Sequence, residues 1–436
     1  MFETATKDLM NFIAKSPSCY HVIQNFRSLL EEEGFQELSE TERWMLSEGG
    51  NYFVVRGGSS IIAFKVPSRD FRNFQITASH SDSPSFKIKN NEEILTDGHY
   101  VELNTERYGG MIYSPWFDRP LSAAGRAVVR TGRGFETRLV NFDRDLLMIP
   151  NAAIHMNRKV NDGYSYQAQK DLLPLFGDEN AKGCFLKMVA EQLQVEKEDI
   201  LGTDLFLYNR MPGTIWGANR EYFSSTKLDD LQCAYASMKA FLEGGNQDSV
   251  TVCCVFDNEE VGSSTKQGAD STLLSDTLMR INSSLGRTDE EYLMAVAASF
   301  MLSADNSHAV HPHHLDKADP TNRPYMNHGP VIKYNANQKY TTDAISGAIF
   351  LGLCDKAGIP CQSFANHSDL PGGSTLGNIS NSHVSLHTAD IGLAQLAMHS
   401  PYETAGTKDT WYMICALKEF FNTHIETRPD GSFRLI

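Results

Sequence analysis

The chain has 436 residues, enough for a substantial buried core and for two domains. Its net charge of −15, from 54 acidic and 39 basic residues, repels phosphate backbones, and no basic block offsets it, so nucleic acid is excluded as a partner. Hydrophobic residues make up 41% and charged residues 21%, ordinary for a soluble globular protein; no apolar run reaches the roughly 18–20 residues that span a bilayer, so no membrane partner is expected.

The first 18 residues mix polar and apolar types without a basic or an apolar block, which leaves the cytosol as the expected compartment. Up to about Gly34 the pattern is helical, with Phe12, Tyr20, Val22, Phe26 and Leu29 among polar residues. Strand-like runs follow at 52–56, 61–66 and 74–79, the last ending at His80-Ser81-Asp82-Ser83-Pro84. From about Asn90 to Thr214, short alternating runs separated by Gly, Asn and Pro predict β structure with loops. Helix and strand then alternate. Leu231, Tyr235, Met238 and Leu242 step by four and three, predicting a helix over 228–243, and the apolar run 250–256 predicts a strand buried on both faces. Helices are expected over 290–300, over 341–357 (stopped by Gly358 with Pro360 beyond) and over about 407–423, the last with Trp411, Cys415 and Phe421 on one stripe. Such β-α repetition favours an α/β fold with a mostly parallel, helix-covered sheet. The domain reading is a catalytic domain over 1–89 and 215–436, interrupted by a β-rich insertion over 90–214. The eight cysteines contain no C-x-x-C pair and read as reduced, mostly buried thiols.

Candidate metal ligands fall where predicted strands end: His80, Glu259-Glu260 and Asp305. In open α/β sheets, sites form outside the carboxyl ends of strands, so distant residues can meet there. Of two adjacent carboxylates on a loop, one can ligate a metal while the other takes a proton from water. A bare Glu-Glu pair is nevertheless far more often a solvated acidic turn. Asp82, two residues after His80, can hold the second ring nitrogen of a ligating histidine, or simply cap a turn. Asp229 suits a helix cap equally well, and His399 a buried histidine. The His311-Pro312-His313-His314 run reads as a polar loop, since its proline and adjacent histidines offer no fixed ligand face.

Taken together and in order, the motifs are more specific. His80-Ser81-Asp82-Ser83-Pro84, Trp116-Phe117-Asp118-Arg119-Pro120, Ile154-His155-Met156-Asn157-Arg158, Lys227-Leu228-Asp229-Asp230-Leu231, Asp257-Asn258-Glu259-Glu260, Ser303-Ala304-Asp305, Gly329-Pro330-Val331-Ile332-Lys333, Gly373-Ser374-Thr375 and Met398-His399-Ser400 run nearly the length of the chain. This series resembles the aspartyl aminopeptidase family of zinc metallopeptidases. The resemblance implies two zinc ions per subunit (manganese or cobalt also suit such ligands), with His80 on one, His399 on the other, Asp229 bridging, and Glu260 and Asp305 completing the shells. It implies Glu259 as general base acting on a metal-bridging hydroxide, and Asp82 behind His80. It further implies that Lys333, His308 and Tyr340 select an acidic N-terminal residue, Asp or Glu, of a peptide with a free N-terminus. His155 would complete a neighbouring subunit's pocket from an inserted dimerisation domain, within a dodecamer built from dimers. Departures from the family pattern are Lys227 for arginine, Asp230 for asparagine, Asn366-His367-Ser368-Asp369, and Pro401-Tyr402-Glu403, which lacks an arginine. The alternatives are a same-fold aminopeptidase preferring neutral residues and a non-enzymatic self-assembling shell protein.

Overall fold

The computed structural model describes residues 1–436. At its centre lies a nine-stranded sheet assembled from both ends of the chain. In spatial order its strands are Gln36–Leu38, Asn51–Arg56, Ser60–Lys65, Ser249–Phe256, Asn73–His80, Phe300–Ala304, His387–Gly392, Val331–Tyr334 and Gln362–Ala365. Five neighbouring pairs are parallel and three antiparallel, so the fold is α/β with a mostly parallel sheet, as expected. Parallel pairing requires crossovers, and these carry the helices. Phe2–Ala14, Cys19–Glu32, Leu228–Glu243, Ala344–Ala357 and Asp409–Asn422 close one face; Leu273–Ser284 and Asp289–Ala297 close the other.

Ser249–Phe256 shows why the sequence reads as a doubly buried strand. All eight residues are buried, and alternate side chains serve opposite cores. Cys253 and Val255 join the first core while Val252, Cys254 and Phe256 join the second. All eight cysteines are free; four are buried and four half-buried.

The region expected to be inserted forms a six-stranded antiparallel sheet, ordered Gly134–Asn141, Leu121–Thr131, Ile200–Asn209, Ser85–Thr96, Tyr100–Tyr108 and Leu175–Asp178. It has its own core around Phe86, Trp116, Leu121, Phe185 and Leu205. Its first strand starts at Ser85 and runs straight through position 90. A third sheet, ordered Thr214–Trp216, Tyr222–Ser225, Glu403–Gly406, Ala394–Leu396 and Ser307–His308, flanks the carboxyl ends of the central strands.

Three helices differ from expectation. The 290–300 helix ends at Ala297, and Phe300 begins a strand, because the Ser299 hydroxyl donates to the Ala295 carbonyl and accepts the Phe74 N–H. The 341–357 helix starts only at Ala344, after an Asp343–Ser346 capping box. In Asp409–Asn422 the buried stripe is Met413, Ala416, Leu417, Phe420 and Phe421, while Trp411 and Cys415 are half-buried. Six residues separate Cys415 from Phe421, about 240° around a helix, so these two cannot share a face.

Candidate metal centre

All the candidate ligands but His399 stand at or just beyond the end of a regular element. His80 is the last residue of Asn73–His80, in register with Phe256 on the neighbouring strand. Glu259 and Glu260 sit in the short turn after that neighbour, and Asp305 directly follows Phe300–Ala304. Asp229 stands at the start of Leu228–Glu243, where its backbone and that of Asp230 are non-helical and joined by a cis peptide. His399 lies in the loop between Ala394–Leu396 and Glu403–Gly406.

The structure brings these residues together around Asp229. His80 Nε2 is 3.3 Å from Asp229 Oδ1, and His399 Nε2 is 3.5 Å from Asp229 Oδ2 and 3.4 Å from a Glu260 carboxylate oxygen. One carboxylate thus faces two imidazoles, one through each oxygen. His80, Asp229 and Glu260 form one group with potential ligand atoms within 4.8 Å of one another, and His80, Asp230 and Asp305 form another. Asp305 Oδ2 also lies 3.8 Å from Lys333 Nζ.

Several observations test whether these residues fit a metal. Ligand atoms about 2.0–2.2 Å from a tetrahedral zinc lie about 3.3–3.6 Å apart, the spacing of these carboxylate and imidazole atoms. Asp229 Oδ1 and Glu260 Oε1 are buried without a hydrogen-bond partner, which is costly unless a cation satisfies them. Burial drives Glu260 well above the usual carboxylate range and lifts Asp305 to about 6, with the neighbouring Asp229 carboxylate adding to both. Burial acts on Asp229 in the same sense, but the two imidazoles outweigh it and hold this carboxyl low. Carboxylates crowded in this way call for added positive charge, so the site fits divalent cations. Glu259, lifted by burial to about 8, lines the same cleft.

Asp82 does more than the sequence suggested. It lies behind His80, with Oδ1 3.3 Å from Nδ1 and its main-chain oxygen 3.1 Å from the same nitrogen. Its carboxylate also accepts the Glu259 N–H at 3.1 Å and the Glu260 N–H at 3.2 Å. Tyr108, at the end of a strand of the six-stranded sheet, donates its hydroxyl to Asp82 at 2.7 Å and accepts Asn258 Nδ2 at 2.8 Å. Gly109 follows with φ +76°, and a Cβ there would stand 3.1 Å from Glu260 Cβ. The insertion therefore abuts the loop that carries Glu259 and Glu260.

Beside the acidic cluster is a cavity of about 150 Å³ lined by Glu259, Asp305, His308, Lys333, Tyr340 and Phe364, among others. Burial is the strongest influence on Lys333 and disfavours its charge, but Asp305, Tyr340 and Asp390 together outweigh it and keep the ammonium protonated. This ammonium donates to the Asn306 carbonyl at 2.9 Å and lies 5.5 Å from the Tyr340 ring centroid. A larger cavity, about 290 Å³, reaches the acidic cluster from behind, through Asp82, Asp229 and Glu403. His155 stands apart: it is exposed on the loop of the inserted region and is not among the residues lining the cleft. His311, His313 and His314 lie in an exposed or half-exposed loop.

Sequence reasoning missed Asp230, Asp390, Gly392 and Glu403. Asp230 is fully buried and accepts the His80 N–H at 3.2 Å. Asp390 accepts Thr341 N–H, Thr341 Oγ1 and Thr375 Oγ1, fixing two cleft segments. Asp230 and Glu403 stood in motifs that differ from the family pattern but were given no role; Asp390 and Gly392 carried no signal.

The family described as "Aminopeptidase I zinc metalloprotease (M18)" matches residues 12–421. The chain is 46% identical over 424 residues to "Probable M18 family aminopeptidase 2" of Clostridium acetobutylicum, covering 95% of this chain and 98% of that one. It is 43% identical to the protein of the same name in Clostridium novyi, again with 95% and 98% covered. Among solved structures it is similar to Ape4, solved in a complex with Nbr1, with a TM-score of 0.92, 34% identity, and 97% and 86% of the two chains covered. It is also similar to the S. cerevisiae mApe1 dodecamer, with a TM-score of 0.84, 27% identity, and 96% and 97% covered. The acidic cluster at the strand ends and these similarities agree, and the chain belongs to the M18 aminopeptidase family of zinc metalloproteases.

Proposed function

We propose that this protein is a two-zinc aminopeptidase that removes N-terminal Asp and Glu from peptides. The observation that carries the two-metal half is Asp229, whose two oxygens face His80 and His399 separately. In this reading His80 and Asp305 would hold one ion, Glu260 and His399 the other, and Asp229 would be shared by both. Divalent ions held by these residues would supply Lewis acidity towards the scissile carbonyl and would lower the pKa of water. Glu259 would take the proton from the attacking water and return it to the leaving amine; burial, the main cause of its raised carboxyl, favours holding that proton between the two steps. Asp82 orients His80 and, through its two backbone bonds, fixes the turn on which Glu259 acts.

The acidic preference rests on Lys333, a buried and protonated cation in the cleft wall beside Tyr340 and His308. An acidic first side chain would give it a further charged acceptor, whereas a leucine would give it none. The oligomeric part of the proposal is a homo-oligomer built from dimers, in which His155 serves a neighbouring subunit. It is supported by the dodecameric relative and by Ile154 and Met156, 49% and 82% exposed on either side of His155. Eight free thiols suit a reducing cytosol.

A panel of aminoacyl chromogenic substrates, assayed with and without chelation and zinc restoration, tests the whole reading. Asp and Glu derivatives should be cleaved fastest, and only with metal present. Faster cleavage of Leu overturns the acidic assignment, and metal-independent or absent hydrolysis of every free-amine substrate overturns the enzyme assignment.

A further inference from the structure

Glu403 belongs to a motif that the catalytic reading leaves unused. Its side chain is 2% exposed, at the start of Glu403–Gly406. One oxygen accepts the Asp229 N–H at 3.1 Å; the other accepts the His399 N–H at 2.8 Å and Gln395 Nε2 at 3.3 Å. The two amides lie on separate elements, 170 residues apart in sequence. They belong to the residue that faces both imidazoles and to one of the histidines it faces.

The network continues. Gln395 Oε1 accepts Asn306 Nδ2 at 2.6 Å; Asn306 Nδ2 also reaches the Leu228 carbonyl at 3.0 Å and Gln232 Oε1 at 3.1 Å. The Asn306 main-chain oxygen receives the Lys333 ammonium. Glu403, Gln395, Asn306, Gln232 and Lys333 are each at most 3% exposed. A connected buried network of this kind is rigid when fully satisfied. Its two ends are the backbone of the acidic cluster and the cation of the cleft wall.

The geometry assigns Glu403 as a positioning residue that sets the spacing between Asp229 and His399 and, through Gln395 and Asn306, ties that spacing to Lys333. The assignment rests on the two-zinc reading given above. Only a carboxylate can accept both amides at once. A glutamine has one acceptor oxygen, and its amide nitrogen would set donor against donor at Asp229 or at His399.

The experiment is a zinc titration of chelator-stripped protein, wild type against Glu403→Gln, with kinetics at saturating zinc and thermal melting of both metal-free proteins. Wild type should take two equivalents. In Glu403→Gln at least one equivalent should bind 10–100-fold more weakly, the usual effect of losing an outer-shell partner. kcat at saturating zinc should fall more than tenfold while KM changes less than threefold. Wild-type affinity for both equivalents in the folded variant overturns the assignment. Native hydrogen exchange on metal-free wild type supplies a second arm that needs no variant: the Asp229 and His399 amides should be protected, and exchange at the rate of free amides overturns the proposal. If the wild type itself takes up no zinc, the two-zinc reading fails, and the two failures are thereby distinguished.

Discussion

Gly392 offers a test of how closely the cleft is built. It ends the strand between Phe300–Ala304 and Val331–Tyr334, paired with Val331. Its φ is not in the left-handed region, so alanine there meets no backbone penalty, only a steric one. A Cβ at this position would stand 2.0 Å from the Asp305 carbonyl oxygen and 3.0 Å from Lys333 Cε, where ordinary contact begins at 3.4 Å. Relief requires Asp305 and Gly392 to separate by about 1.4 Å, pulling on the Asp305 N–H to Ile391 bond of 3.0 Å. Overpacking of this kind costs about 1–3 kcal/mol, enough to lower Tm by a few degrees. The same shift moves a proposed ligand and the proposed selecting lysine together, and misplacement of about 1 Å can cost roughly 100-fold in rate. Gly392→Ala should therefore lose about 30–100-fold in kcat/KM on an aspartyl substrate, together with weaker zinc retention. Gly373→Ala is the matched control: it lines the same cleft, but its added Cβ meets nothing within 4 Å, so its loss should be at least tenfold smaller. If Gly392→Ala keeps wild-type kcat/KM and Tm, the close approach between these strands does not set the site geometry and the reasoning fails.

Glu259→Gln should retain zinc on metal analysis yet lose about 10²–10⁴ in kcat, the usual range for a general base; loss of zinc with retained turnover would reverse its role. Lys333→Met should lower the Asp-to-Leu ratio of kcat/KM by about 10–150-fold, the equivalent of one charged hydrogen bond of about 1.5–3 kcal/mol; an unchanged ratio assigns selection elsewhere. Burial holds His21 down at about 4 from an ordinary 6.5, so between these values the unfolded chain binds the extra proton and stability rises with pH. The contribution of neutral His21 is complete above pH 6.5 and is lost as pH falls towards 4. In denaturant unfolding across pH 4–7, wild type should lose stability relative to His21→Leu as pH falls, and parallel curves would refute the assignment.

The parts legible in the sequence were those governed by local pattern. Residues 250–256 read as a doubly buried strand because both faces are apolar, and Cys253 and Cys254 indeed serve opposite cores. His80, Glu259-Glu260 and Asp305 read as candidates because parallel strands end on one side; His80 stands with Glu260 in one group of close ligand atoms and with Asp305 in another. Features that depend on partners far along the chain were not legible. Nothing near residue 298 announces a helix stop; Ser299 ends it by accepting an amide from position 74. Glu403 looks like a loop acid until Asp229 N–H is placed 3.1 Å from it. Gly392 looks like any strand glycine until Asp305 is packed against it. Such residues are chosen by the gap they fill, and the gap exists only after folding.

The contact between Tyr108-Gly109 and the Asp82–Glu260 loop sets a limit on dissecting this chain. Cutting out the inserted region and bridging the gap with a short linker would delete the hydroxyl that Asp82 and Asn258 share. It would also remove the glycine wall against Glu260. A miniaturised version of the enzyme would need to carry the hairpin formed by Ser85–Thr96 and Tyr100–Tyr108, together with Gly109. A grafted foreign insertion would need to present the same tyrosine-glycine step to this loop.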